Sequence, residues 1–205
     1  MIRPFSLMTI ALALAGCASD PMHYHTLSAP TMAGSTGQAA PFAIDVLPVG
    51  IPAQLDQQQL VVRQGASGLI VQDGERWSGA YADEIRDALA VQLAASLPAQ
   101  DVSGLGRTAG QPVLRIQVQV RRFDAWVGDK VQFEGTWRLG FADGALDARL
   151  LCSSRLEVPA RGGYPELVQA QQTALAGLAA EIAHSARGWD GKTGGACIKV
   201  SVTGT

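Results

Sequence analysis

Apolar and polar residues alternate one for one over much of the stretch from residue 113 to residue 158. In "VLRIQVQVRRF", Leu114, Ile116, Val118 and Val120 alternate with Arg115, Gln117, Gln119 and Arg121. In "KVQFEGTWRLGF", Val131, Phe133, Trp137, Leu139 and Phe141 alternate with Gln132, Glu134, Thr136 and Arg138. In "ALDARLLCSSRLEV", Leu146, Leu150, Cys152, Leu156 and Val158 alternate with Asp147, Arg149, Ser153, Arg155 and Glu157. Turn residues stand between the runs, at Gly128-Asp129 and Asp143-Gly144. Three such runs with short loops predict an antiparallel meander with one face buried and one wet.

Two stretches follow a helical period instead. In "AYADEIRDALAVQLAASLP", Tyr81, Ile85, Leu89, Leu93 and Leu97 form one stripe with Ala88. Ser78 is the candidate N-cap, Asp83 and Glu84 suit the positive end, and Pro98 ends the element. The second helix starts at Pro165 and stops at Gly188, with Val168, Leu175, Leu178 and Ile182 on its apolar face. Earlier strands are read in "FAIDV" from Phe42, in "QLVVRQ" and "GLIVQD" around the turn Gly65-Ala66-Ser67, and in the short "HYHTL" from His23. The glycine-rich tail suggests an edge strand around Ile198. The expected fold is α+β: a mixed, mainly antiparallel sheet with a three-strand meander, and two amphipathic helices packed on one side.

The N-terminus has a different logic. Arg3 precedes an apolar run from Phe5 to Ala15, about half the length needed to span a bilayer, followed by small residues. This is the layout of a secretory signal. Leu14-Ala15-Gly16-Cys17 resembles the bacterial lipobox, in which the cysteine thiol receives a diacylglycerol, the chain is cut before it and the new amine is acylated. The expected organisation is residues 1–16 as lipoprotein signal peptide, 17–41 as lipidated N-terminus with a short strand and flexible loop, and 42–205 as one domain. If His23 begins a strand, the leash from Ala18 to Met22 reaches roughly 17 Å.

Removing residues 1–16 takes Arg3 and leaves 189 residues with 15 basic and 18 acidic groups, a net charge of −3. That balance argues against nucleic-acid binding. With Cys17 carrying lipid, Cys152 and Cys197 remain, and an even pair in an oxidising compartment predicts a disulfide. Catalytic motifs fail. Gly191-Lys192-Thr193 lacks the earlier glycine and the following helix of a phosphate-binding loop. His23, His25 and His184 do not make up a metal site, and the serines have no nucleophile-elbow setting. No enzyme, metal or soluble cofactor is expected; the only added group is the covalent diacylglycerol and N-acyl chain on Cys17. Recognition is what remains. Arg76, Trp77 and Trp126 are candidate partner-binding residues because arginine and tryptophan are enriched at interface anchors; the alternative for Trp77 is packing beneath the first helix.

"YHTL", "IDVLPVGIPAQLDQQQLVVRQ" and "ERWSGAYADEIRDALAVQLAASL" are similar, in order and spacing, to motifs of the PqiC-like, ABC-type transport auxiliary lipoproteins. Gln57-Gln58 stand where Arg-Pro is usual, and Gly79-Ala80 where Glu-Pro is usual. The resemblance implies an accessory subunit of a phospholipid transport system. It would be anchored in the inner leaflet of the outer membrane, facing the periplasm, and docked to an MCE-domain periplasmic protein. Ala18, in place of a retention aspartate, is compatible with that destination. A homo-oligomer is a further expected partnership, and one alternative function is a different envelope-assembly lipoprotein, an LptE-like or pilotin-like chaperone. A direct lipid carrier is the remaining alternative.

Overall fold

A computed structural model of the chain describes residues 21–28, 39–105, 110–144, 148–192 and 195–200. Cys17, the signal segment and most of the loop at 28–41 lie outside the described residues. The strands are β1 (His23–His25), β2 (Ala43–Val46), β3 (Gln59–Gln64), β4 (Gly68–Trp77), β5 (Val113–Trp126), β6 (Lys130–Phe141) and β7 (Leu150–Pro159). The helices are α1 (Tyr81–Ser96) and α2 (Tyr164–Arg187), with a single 3-10 turn at Ala53–Leu55.

The alternating stretch forms the antiparallel meander β5-β6-β7, and β2 joins it in parallel beside β5. Along β7 every second residue is buried, as the sequence alternation requires. The β5–β6 connection turns at Gly128, whose φ of +76° lies in the region that favours glycine. β1, β4 and β3 form a separate sheet in that order, β1 pairing in parallel and β3 antiparallel. The fold is α+β, divided between two sheets. The division follows from the paths of β3 and β4, which close as a hairpin on each other and not on the meander.

The helices cover the inner face of the larger sheet. α2 lies across β5, β6 and β7, and α1 packs beside α2 and over β2. Tyr81, Ile85, Ala88, Leu89, Leu93 and Leu97 are all buried, as are Val168, Leu175, Leu178 and Ile182. The N-cap differs from expectation. It is Ala80, with no side-chain cap bond; the Ser78 hydroxyl instead donates to Glu84 Oε1 at 2.5 Å. At the start of α2 the Gly163 amide donates to Glu166 Oε2 at 2.8 Å, closing the first turn. One main core unites both sheets and both helices. Its centre is aromatic: Phe123 and Phe133 meet edge to face at 5.4 Å, and Trp137 is fully buried.

The edge strand expected around Ile198 is not formed: residues 195–200 are irregular. Polar contacts hold it. The Ile198 amide donates to Ser185 Oγ at 2.9 Å, and the Val200 amide donates to Glu181 Oε1 at 3.3 Å. Glu181 is almost wholly buried, and it also accepts the Ser154 hydroxyl, which in turn accepts Trp137 Nε1–H at 2.8 Å. This chain of bonds explains a serine at an inward position of β7: it relays a buried indole to a buried carboxylate. Cys152 and Cys197 are joined, with their Cα atoms 5.7 Å apart, so the tail lies against the free edge of β7. Closing 45 residues corresponds to about 4 kcal/mol in the chain-entropy model. Replacing both cysteines by serine is therefore expected to lower stability by about 4 kcal/mol, measured by urea unfolding. Adding reductant to the native protein should give the same loss.

Candidate docking surfaces

Three regions outside the core can meet something other than this chain. The first is the N-terminal arm, residues 23–27, through which any lipid tether must act on the body. It is fixed at several points. β1 pairs with the end of β4, His23 opposite Glu75 and His25 opposite Trp77. The Glu75 carboxylate receives both imidazoles, His23 Nδ1 at 3.1 Å and His25 Nε2 at 2.5 Å. Glu84, buried at the start of α1, accepts the Leu27 amide at 2.8 Å and the Thr26 hydroxyl at 2.7 Å. From α2, Gln172 Nε2–H donates to the Thr26 carbonyl at 2.9 Å. Leu27 itself enters the core. The arm is thus part of the folded body, not a trailing end.

The second region is the end of the molecule where two hairpins meet. Trp126 and Val127 cap the β5–β6 hairpin. The Trp126 indole N–H points at the Gly65 carbonyl of the β3–β4 hairpin, 3.5 Å away, and Lys130 Nζ lies 5.9 Å from its ring. Just behind, Arg63 Nε donates to Asp124 Oδ1 at 2.8 Å, so one buried carboxylate ties the two sheets together. Arg122 takes the other oxygen at 2.7 Å, and this hydrogen bond, with the nearby charge, raises the guanidinium's pKa.

The third region is the outer face of the larger sheet, which no helix covers among the described residues. Its polar residues come from alternate positions of β5, β6 and β7. Arg115, Arg138 and Arg149 line a concavity of about 120 Å³ together with Leu47, Gln117 and Phe141. Gly140 makes room for it: a Cβ there would lie 2.6 Å from Arg149 Cδ, so the arginine lies over bare backbone. Arg115 Nε is 3.4 Å from Asp45, and Arg149 donates to the Ala148 carbonyl at 3.0 Å. Arg138 is exposed with no side-chain partner among the described residues. A second, open concavity of about 480 Å³ is lined by Arg121, Glu134, Thr136, Ser153, Arg155 and Lys199. In a chain of net acidic charge, this face gathers basic groups that are suited to an anionic partner surface.

The sequence-predicted anchors separate accordingly. Trp77 is buried, stacked on Tyr81 with ring centres 4.8 Å apart, and burial pushes the Tyr81 phenol pKa up. Trp77 is therefore a core residue and not a surface anchor; its place at the end of β4, paired with His25 and stacked beneath the start of α1, explains the aromatic. Arg76, its neighbour, is half-buried with Nε unpartnered among the described residues. Trp126 is half-buried beside Gly65 at the hairpin end, whereas Arg76 and Trp77 stand at the opposite end of β4, so the three candidates do not form one patch.

Residues 25–183 match the family described as the ABC-type transport auxiliary lipoprotein component. The chain belongs to that family. Membership places the protein in the cell envelope as an auxiliary component of a transport system. No curated protein matches the sequence significantly. Among solved structures, an uncharacterized protein superposes with a TM-score of 0.63 at 19% identity, over 80% of this chain and 98% of the other. A Xanthomonas campestris protein of family DUF330 gives 0.51 at 15% identity, over 79% and 90%. A PelC variant dodecamer from Paraburkholderia phytofirmans gives 0.40 at 12% identity, over 70% and 88%. The first two likenesses show a shared fold.

Two functional features escaped the sequence reading. Glu84 reads as a helix-dipole complement, yet it also clamps the arm; a pattern within one helix carries no sign of a partner 57 residues away. The arginine concavity was visible only as scattered wet positions, since register decides which of them meet. Substituting Glu84 by alanine strands the buried Leu27 amide and frees the arm. We expect a loss of about 2 kcal/mol in urea unfolding, with faster amide exchange confined first to residues 24–28.

Proposed function

We propose that this protein is an outer-membrane-anchored accessory subunit of an ABC-type, MCE-domain phospholipid transport system. Acyl chains on Cys17 hold it in the inner leaflet, and its exposed face docks to the periplasmic conduit. The observation that carries this reading is the family match across residues 25–183. Two features support it. The arm after Cys17 is clamped to the body by Glu84 and Glu75, so a tether there would fix the whole domain near the bilayer. The outer sheet face is open, polar and rich in arginine, the composition of a steering and docking surface.

A direct lipid carrier fits less well. The interior is filled by Trp137, Phe123, Phe133 and their aliphatic neighbours. Between the sheets, the gap lined by Trp77, Tyr81, Phe123 and Gln171 amounts to about 10 Å³, room for one water and not an acyl chain. The concavities on the sheet face are polar-walled and open. In this reading the subunit positions a conduit and performs no covalent step.

Two measurements test it. Changing Cys17 to serine should move the protein from the membrane to the soluble envelope fraction. A photocrosslinker placed at Gln117, beside the arginine concavity, should capture an MCE-domain protein from intact envelopes; capture of a β-barrel or secretin would favour the chaperone alternative. Reversing charge with Arg115→Glu and Arg138→Glu should cut that capture by at least about tenfold, the effect growing at low salt.

A further inference from the structure

The end where the two hairpins meet carries apolar residues that the fold does not use. Leu69, Ile70 and Val71 of β4 are consecutive and are 41%, 38% and 43% exposed. Consecutive strand residues point to opposite faces, so this hairpin is apolar on both sides at once. Val127 beside it is 42% exposed, and Trp126 stands between the hairpins with Lys130 over its ring. A partner protein lying against one face of a strand would leave the other face in water. A fluid apolar medium covers both.

Register indicates what that medium is. β1 runs parallel to β4 with His23 opposite Glu75. The chain before His23 therefore leaves toward the Gly68 end of β4, the hairpin end. From Cys17 to His23 is six steps, and from Leu69 to Glu75 is also six. At about 3.3 Å per extended residue both spans are about 20 Å. An extended chain would therefore let a lipid on Cys17 reach the level of the exposed apolar residues.

We propose that this hairpin end, Leu69 to Val71 with Trp126 and Val127, rests in the bilayer surface beside the acyl chains of Cys17. The inference rests on the lipidation of Cys17 proposed above. Between Gly68 and Gly74 the β4 edge away from β3 has no strand partner among the described residues. Unpaired backbone is not tolerated in hydrocarbon, so the contact stays at the headgroup boundary, where water satisfies it. Tryptophan and a neighbouring lysine are suited to that depth. The orientation carries the arginine concavity away from the membrane: Arg115 lies eleven residues along β5 from Trp126, about 36 Å into the periplasm at strand rise.

The test uses the full mature chain in vesicles of phosphatidylethanolamine and phosphatidylglycerol. With Cys17 acylated and Cys152 bonded to Cys197, an introduced cysteine is the single free thiol. Ile70→Cys and Val127→Cys carry a polarity-sensitive fluorophore. Leu105→Cys, equally apolar and more exposed but near the start of β5, is the control. Flotation with the vesicles and intact mass first establish the anchor. The expected result is a blue-shifted label at 70 and 127, quenched about threefold more by nitroxide lipids than the label at 105, as for a group in the outer 5–10 Å of the bilayer. A floating, lipidated protein whose labels at 70 and 105 are alike overturns the bilayer contact and leaves the anchor standing. A label that is shifted yet untouched by nitroxide lipids assigns the patch to a protein, and overturns it too. A chain without lipid that fails to float removes the anchor and, with it, this inference.

Discussion

The docking of five residues onto the body decides what an anchor on this chain could accomplish. Glu84 is the centre of that docking. Buried at the first turn of α1, its two oxygens receive the Leu27 amide, the Thr26 hydroxyl and the Ser78 hydroxyl. A carboxylate is affordable there because every contact donates to it and because the helix N-terminus adds its own positive field. Without this clamp, the buried Leu27 amide would have no acceptor, and β1 would rest on three residues of parallel pairing with the Glu75 and Gln172 side-chain contacts. With it, the arm, the small sheet and α1 become one unit. Gln172 then ties the same arm to α2, so the N-terminal contacts span much of the molecule.

The two sheets divide the labour. The larger one supplies the core on its helix-covered side and an arginine-lined surface on the other. The smaller one receives the arm and projects a hairpin. Asp124 joins them, sharing its oxygens between Arg63 of the small sheet and Arg122 of the large one. A nearly buried carboxylate flanked by two guanidiniums costs desolvation that the pair geometry offsets, and it fixes the angle between the sheets in a way that apolar contacts alone would not.

The meander, the hairpin β3–β4 and both helices were legible from periodicity, since each buries one face against a single core and writes that face into its sequence. Which strands share a sheet was not legible. Nothing local tells β3 and β4 to stand apart from β5, or β2 to lie parallel to β5 across a long connection. The tail was misread as a strand for a related reason: its apolar Ile198 signals contact, but the contact is made through amides and a sulfur bridge, which leave no alternation. Trp77 shows the limit for surfaces. An Arg-Trp pair before a helix has the composition of an interface anchor, and only the stacking on Tyr81 identifies it as core. The arginine concavity depends on Gly140, whose missing side chain is meaningful only once Arg149 is seen lying over it.

The direction of β1 has a mechanical consequence. Force on a tether at the N-terminus would run along the strand axis toward the hairpin end, parallel to β4. Backbone bonds between parallel neighbours lie across that axis, so the load would fall on all of them together in shear and not one after another as in peeling. A subunit held at one end by lipid and loaded at the other by a large periplasmic assembly would therefore resist extraction at its weakest-looking element, with His23 and His25 on Glu75 adding side-chain rungs to a very short ladder.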